Sequence, residues 1–201
     1  MMRLPLLLLA ALLTGNGFAQ SDGVWRDSLQ AYWDRIDMEY RDPIHSPLPL
    51  EYRAGFKNLE RYAPDHRFRV RARFTPKAGS AFPMRTSGTR TPPYRSMGTL
   101  SFVLNGAAEQ LTVYQNVDLV MLADYANHLF VPFTDLTNGE TTYAGGRYLD
   151  FEGPLVGEVE LDFNRAYNPY CAYGGAYSCP IPPLENQLEV AVEAGVKAFA
   201  H

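Results

Sequence analysis

The chain has 201 residues, 46% of them hydrophobic, and carries a formal net charge of −4 at pH 7. This length and apolar content suit one domain with a full hydrophobic core. The mildly acidic charge and the absence of a basic run in the sequence argue against a nucleic-acid-binding protein.

The first 19 residues have the pattern of a secretory signal peptide. Arg3 supplies the positive charge, an apolar run extends from Leu4 to Leu13, and Gly17-Phe18-Ala19 provides a small-x-small cleavage signal. We expect cleavage after Ala19, a single mature domain over residues 20–201, and a periplasmic or secreted location. The alternative is a buried N-terminal helix. No stretch of the mature sequence is long and apolar enough to cross a membrane.

The mature sequence begins with a pattern typical of an amphipathic helix over residues 22–41. Asp22 can cap its start, and Asp42-Pro43 ends it because a residue before proline avoids helical backbone angles. A short second helix is expected within residues 50–62. Large apolar residues recur in the first helix at helical spacing: Trp25, Leu29, Tyr32, Trp33, Ile36 and Tyr40.

From His66 onward the hydrophobic period changes to two, which predicts strands. Asn105-Gly106 predicts a tight hairpin between two of them. Because the strands lack intervening helices, we predict a mainly β (α+β) fold, an antiparallel sandwich or partly closed barrel with an N-terminal amphipathic helix. The predicted strands cover residues 68–74, 94–104, 111–114, 129–133, 143–151, 158–164 and 188–192.

The two cysteines, Cys171 and Cys179, are predicted to form a disulfide, because they are close in sequence and the leader implies an oxidising compartment. No histidine lies near either cysteine. Three of the four histidines are scattered along the sequence without the spacing of metal ligands: His45, His66 and His128. We therefore expect no metal and no cofactor.

Two irregular loops, residues 133–146 and 164–186, are dense in polar and aromatic side chains. Loops on a rigid β scaffold commonly carry function, and the second is long for a plain connection. These loops carry a resemblance to an exported bacterial family known only as domain of unknown function 1684, which implies export and this domain but no activity. In one departure, Val196 stands where the family carries an acidic residue. The resembling segments are residues 46–48, 133–137, 142–149, 161–173, 179–183 and 186.

The candidate site follows from side-chain chemistry. Arg147 shares a strand face with Leu149 and Phe151, so an inward face would bury its guanidinium and require an acidic partner or an anionic ligand. Asp135 and Asp162 are the candidate partners. The predicted pocket is lined by Asp135, Tyr143, Arg147, Asp162, Asn164, Asn168 and Tyr173, and Tyr167 could add another flat wall.

The pocket can be interpreted in several ways. A structural alternative is an Arg–Asp pair with turn-capping Asn and Asp side chains. As a functional site, it predicts a protein that binds a small polar or anionic ligand around Arg147. Two further alternatives are a hydrolase with Asp135 or Asp162 as general base, and an envelope interaction protein that uses exposed aromatics such as Tyr170. The sequence leaves open which of these holds, and also the oligomeric state.

Overall fold

The computed structural model describes residues 16–174 and 176–200, with side chains from Asp22 onward. The predicted signal peptide lies mostly outside the described residues, so its cleavage stays a prediction. Within the described part of the chain, no helix is long and apolar enough to cross a membrane.

The strands form one antiparallel sheet that curls into a half-barrel. Its order is β6-β5-β4-β3-β1-β7, and β2 pairs with β3 outside this path. The partly closed barrel is thus the arrangement found. The sandwich is not, because all the described strands belong to one sheet. The strands are β1 (Arg69–Pro76), β2 (Phe82–Pro83), β3 (Pro93–Leu104), β4 (Ala107–Asn116), β5 (His128–Phe133), β6 (Arg147–Glu152) and β7 (Glu158–Asp162).

The predicted hairpin is confirmed between β3 and β4. Leu104 pairs with Ala107, and the two turn residues, Asn105 and Gly106, have φ of 51° and 83°. Positive φ at both positions is the geometry of a two-residue turn that matches strand twist, and Asn-Gly adopts it readily. This turn sets the register of the longest strand pair in the sheet.

Several strand predictions were wrong at their ends, and two of these differences lie beside the predicted site. β6 begins at Arg147 rather than Tyr143, and β7 ends at Asp162 rather than Asn164. At the second boundary the Asp162 carboxylate accepts the backbone N–H of Asn164 at 3.0 Å, which starts a 3-10 turn over Phe163–Arg165. A side chain that bonds its own backbone in this way competes with the sheet.

The predicted closing strand at 188–192 is not formed, although Leu188 and Val192 are buried. This segment makes two backbone hydrogen bonds beside the loop that follows β5, from Leu188 N to Thr134 O and from Leu136 N to Val190 O. The N–H of Val192 then bonds to a carboxylate oxygen of Asp135 rather than to a strand. Residues 188–192 therefore alternate between buried and more exposed positions without forming the hydrogen-bond ladder of a β-strand.

Two helices lie before the sheet in sequence, α1 (Asn16–Arg41) and α2 (Leu50–Arg53). α2 is much shorter than the interval in which a helix was predicted. One face of α1 buries Trp25, Leu29, Trp33 and Tyr40. These side chains pack against residues from the segments that follow α1 and from the C-terminal part of the chain: Leu48, Leu59, Ala172, Tyr173 and Val196.

The main core covers one face of the sheet. It contains alternate residues of β1, β3, β4, β5, β6 and β7, together with Leu188, Val192 and Ala194. The C-terminal segment thus supplies core residues that the sheet lacks. A smaller aromatic cluster covers the opposite face, with Met84, Tyr94, Tyr114, Phe130 and Tyr148.

Candidate functional site

Arg147 opens β6 and points into the main core, with none of its side chain exposed. Its strand face continues with Leu149, so the β-strand period places the guanidinium inward, the case in which it needs an acidic partner. Asp135, which follows β5 in the adjacent loop, reaches the same point. The Nη2 of Arg147 lies 2.8 Å from Oδ2 of Asp135, and this carboxylate is also fully buried.

The two Nη groups of Arg147 also bond to backbone carbonyls of the C-terminal segment, while its buried Nε has no partner among the described residues. Nη2 donates to Val192 O at 2.8 Å, and Nη1 donates to Ala194 O and, at 3.4 Å, to Val196 O. Burial lowers the pKa of Arg147, and the charge of Asp135 opposes that shift. The guanidinium therefore connects the irregular C-terminal segment to the sheet by hydrogen bonds, and it does not face solvent.

Asp135 is equally engaged. Its Oδ1 accepts the N–H of Thr137 at 2.9 Å, the hydroxyl of Thr137 at 2.6 Å and the N–H of Val192 at 3.1 Å. With Oδ2 on Arg147, both carboxylate oxygens carry strong donors. A general base must reach its substrate, and the Asp135 carboxylate is fully buried with both oxygens bonded to internal donors.

Asp162 lies in a different cluster, under α1. Its Oδ2 accepts the indole N–H of Trp25 at 2.8 Å, and its Oδ1 accepts both the backbone and the side-chain N–H of Asn164. Asn164 also exchanges two hydrogen bonds with the backbone of Asp65. The contacts of Asp162 hold α1 against the end of β7 and include none to Arg147.

The other predicted site residues lie under or near α1. Asn168 is buried and donates from Nδ2 to Lys197 O at 2.9 Å. Tyr173 is buried against Tyr40, with ring centroids 5.0 Å apart, and burial raises its pKa to about 12. Tyr143 packs against the core beneath α1. The structure thus distributes the predicted residues between the Arg147–Asp135 pair and the α1 interface instead of one pocket.

The predicted disulfide is confirmed between Cys171 and Cys179. It closes a loop beside a surface cleft of about 540 Å³, which we call the tyrosine cleft. One wall comes from the connector between α1 and α2 together with α2 itself, and the other from the disulfide loop. The described lining residues are Pro47, Leu48, Pro49, Glu51, Tyr52, Arg53, Tyr173, Gly174, Ala176 and Tyr177.

A chain of aromatic rings surrounds the tyrosine cleft. Successive centroids lie 5.0 to 6.4 Å apart in edge-on or tilted contacts, which are favourable geometries for aromatic pairs. Of these rings, Tyr52, Tyr173 and Tyr177 line the cleft, and the others contact them. The order of the rings is Tyr177, Tyr170, Tyr40, Tyr173, Phe199 and Tyr52.

Charge within the tyrosine cleft is unevenly compensated. The guanidinium of Arg53 donates to the carbonyls of Leu48 at 2.7 Å, Pro43 at 2.9 Å and Ser46 at 2.9 Å. Glu51, in contrast, is exposed and makes no ion pair or hydrogen bond through its side chain with the described residues. Arg53 therefore shapes the connector, while Glu51 leaves a free negative charge at the cleft.

Sequence reasoning missed a polar cluster on the outer end of β5 and β6. Asp150 accepts from the hydroxyl of Tyr167 at 2.7 Å and contacts Nε2 of His128 at 2.9 Å. Nδ1 of His128 is buried and has no partner among the described residues. The alternation of both strands could have placed His128 and Asp150 on one face, but Tyr167 reaches them from an irregular segment.

Within the described residues, no group of three or more His, Cys, Asp or Glu side chains is arranged to hold a metal ion. Besides the tyrosine cleft, a groove of about 380 Å³ runs between α1 and the segment before β1, and Asn164 lines it. Its two arginines are both engaged with carboxylates, Arg26 with Asp22 and Arg61 with Asp37.

The fold and the cleft together define a small half-barrel domain of one antiparallel sheet, closed by a buried arginine and braced by a disulfide. A family model described as "Protein of unknown function (DUF1684)" matches residues 54–197, and the chain belongs to that family. The resemblance expected from the sequence is thereby confirmed at the level of the family. The family match does not address export.

One solved structure is similar to this chain over most of its length. It is the solution NMR structure of an uncharacterised protein from the rrnAC0354 locus of Haloarcula marismortui, which is 38% identical to this chain, with a TM-score of 0.69. The match covers 89% of this chain and 96% of that one. No curated protein matches the chain at a significant level.

Proposed function

We propose that this chain is an exported binding protein that holds a small polar ligand in the tyrosine cleft. Export is supported by the charged start, apolar run and small-x-small signal of residues 1–19. The disulfide between Cys171 and Cys179 is consistent with an oxidising compartment. Binding at this place is supported by the cleft itself, a concave surface with aromatic walls and a few polar groups, as in ligand sites generally.

The tyrosine cleft is a better binding site than the surroundings of Arg147. An anionic ligand at Arg147 would have to displace Asp135 and three backbone carbonyls, because the guanidinium is fully buried against them. The cleft requires no such rearrangement. Of the residues predicted to bind ligand, Tyr173 borders the cleft, but its side chain is fully buried, so Tyr52 and Tyr177 are the lining rings open to a ligand.

The two alternative functions have less support. A hydrolase with Asp135 or Asp162 as general base would need a carboxylate free to accept a proton, and both are engaged by internal donors. The His128–Asp150 pair does not supply a base either, since Nδ1 of His128 is buried. An envelope interaction protein would use exposed aromatics such as Tyr170, which is 47% exposed, but no further observation identifies its partner.

A nuclear magnetic resonance titration tests the proposal. The ¹⁵N-labelled mature chain is titrated with sets of small saccharides, organic ammonium ions, carboxylates and phosphates. We expect saturable shifts of the amides of Tyr52, Gly174 and Tyr177 with at least one set. Tyr177→Ala should weaken that binding, whereas Tyr125→Ala, at a tyrosine 43% exposed outside the cleft, should not. Saturable shifts confined to residues outside the cleft would overturn the proposal, as would no shift at all.

A further inference from the structure

The free charge at the tyrosine cleft is negative. Glu51 is the lining carboxylate, and its side chain has no ion-pair partner among the described residues. The positive lining group, Arg53, is held by three carbonyls of the preceding connector. Burial raises the pKa of Tyr170, and the nearby carboxylate of Glu39 raises it further. Glu51 is therefore the lining charge whose atoms are left free to contact a ligand, and it attracts a cation.

Tyrosine faces strengthen this preference. A ring carries a negative π face, so an ammonium group over it is attracted electrostatically, and quaternary ammonium ligands are recognised by such walls. Tyr52 and Tyr177 line the cleft on opposite segments, α2 and the disulfide loop. Tyr177 is 39% exposed, so part of its ring is available to a ligand.

An anionic ligand has little to bind here. The N–H of Gly174 already bonds to Cys171 O, and three N–H groups of Arg53 bond to carbonyls of the connector. A carboxylate or phosphate in the cleft would be repelled by Glu51 and would compete with those carbonyls for Arg53. A neutral ligand would gain contact with the rings but nothing from the carboxylate.

From these observations we infer that the ligand of the tyrosine cleft is a small organic cation, an alkylated ammonium group seated between Tyr52 and Tyr177 with Glu51 as its counter-charge. This inference rests on the proposed function and narrows it. It also replaces the expectation of an anionic ligand, which depended on an accessible Arg147.

Choline and 3,3-dimethyl-1-butanol provide a matched pair of probes, because they have the same shape and differ in one positive charge. Isothermal titration calorimetry of the full mature chain at low salt should show choline binding on the order of tenfold tighter than the neutral alcohol. Added NaCl should weaken choline binding, because the pair of charges at the surface is screened.

Variants locate the effect. Glu51→Gln should reduce choline affinity on the order of tenfold and leave the neutral alcohol unchanged, since the substitution removes one charge at nearly constant shape. Tyr177→Ala should weaken both. Glu140→Gln, at an exposed glutamate outside the cleft lining, is the control and should change neither.

The outcomes separate the two proposals. If the neutral alcohol, a saccharide or phosphate binds as tightly as choline and Tyr177→Ala removes that binding, the organic cation is wrong and the cleft remains a binding site. If choline binds but Glu51→Gln has no effect, the assigned counter-charge is wrong and the inference fails. If no probe in the calorimetric or resonance titrations perturbs the cleft, both proposals fail.

Discussion

At the scale of single residues, Arg147 shows how a buried charge can organise a fold. The side chain is completely enclosed, and its hydrogen bonds connect β6, the loop after β5 and the C-terminal segment. Removing one member of a buried ion pair is costly, because it leaves the other charge desolvated without a partner. Arg147 therefore contributes to stability in a way that depends on Asp135.

Arg147→Met tests this dependence. The variant keeps an unbranched apolar stem but leaves Asp135 buried without its cation, so we expect a loss of about 3–5 kcal/mol in the free energy of unfolding. Urea denaturation followed by circular dichroism measures it. Arg71→Met is the control, because Arg71 forms only an exposed 3.8 Å pair with Glu158 and should cost less than about 1 kcal/mol. Equal losses for both variants would show that the buried pair is not special.

Another residue-scale effect concerns Asp65, whose carboxylate accepts the backbone N–H of Arg67 at 2.8 Å and pairs with its guanidinium. These bonds lower the pKa of Asp65 in the folded chain. A carboxyl with a lowered pKa stabilises the fold above its unfolded pKa of about 3.9, and this contribution is lost as pH falls through the lower folded value.

Thermal unfolding between pH 7 and pH 2 checks the sign. Asp65→Asn should lower the melting temperature at neutral pH and approach the parent chain at the acid end, because both then lack the charge. Asp124→Asn, at an exposed aspartate in the loop before β5, should follow the parent at every pH. A constant difference between Asp65→Asn and the parent at all pH values would contradict this account.

At the scale of elements, the disulfide loop is the support of the tyrosine cleft. The bond joins Cys171 to Cys179, which are eight residues apart. Because the closed loop is short, the bond lowers the conformational entropy of the unfolded chain only modestly. A Cys171→Ser, Cys179→Ser double variant should therefore lose about 2–3 kcal/mol of stability. The measurement is a urea titration, and added reductant should then have no further effect. An unchanged urea midpoint would mean that the loop is held by its other contacts.

Most elements could be predicted because their hydrophobic period is regular. Alternation located the middle of β1 and β7, and the Asn105-Gly106 turn fixed the β3–β4 hairpin. The segment 188–192 misled the prediction because its alternation reflects burial in the core and not pairing with a strand. The sequence does not show that the Asp135 carboxylate takes the place of a ladder partner for Val192.

The site was only partly predictable, for a related reason. Strand period put Arg147 on one face with Leu149, and the cost of burying a charge made Asp135 one of two candidate partners if that face was inward. Asp162 was expected at the same place, yet its partner is Trp25 on α1, a contact across 137 residues that no local pattern encodes. The tyrosine cleft combines two irregular segments, so neither of them reveals it alone.

At the scale of the whole molecule, the signal-peptide pattern of residues 1–19 predicts export. Expression of the full sequence in a bacterial host, followed by fractionation and mass spectrometry, should recover the chain outside the cytoplasm with residues 1–19 removed and Gln20 first. Ala19→Arg should block processing, since a large charged residue does not fit the small-x-small signal. A cytoplasmic chain of full mass would show that residues 1–19 are not a signal peptide.

The carbonyls that receive Arg147 have a consequence for the order in which the molecule assembles. They belong to Val192, Ala194 and Val196, whereas the sheet that carries the arginine is finished by Asp162. During synthesis or passage through a membrane pore, the sheet emerges with a cation inside it whose final partners have not yet arrived. We expect the emerging chain to stay loosely organised until this last segment crosses the sheet, a delay that would suit the proposed export.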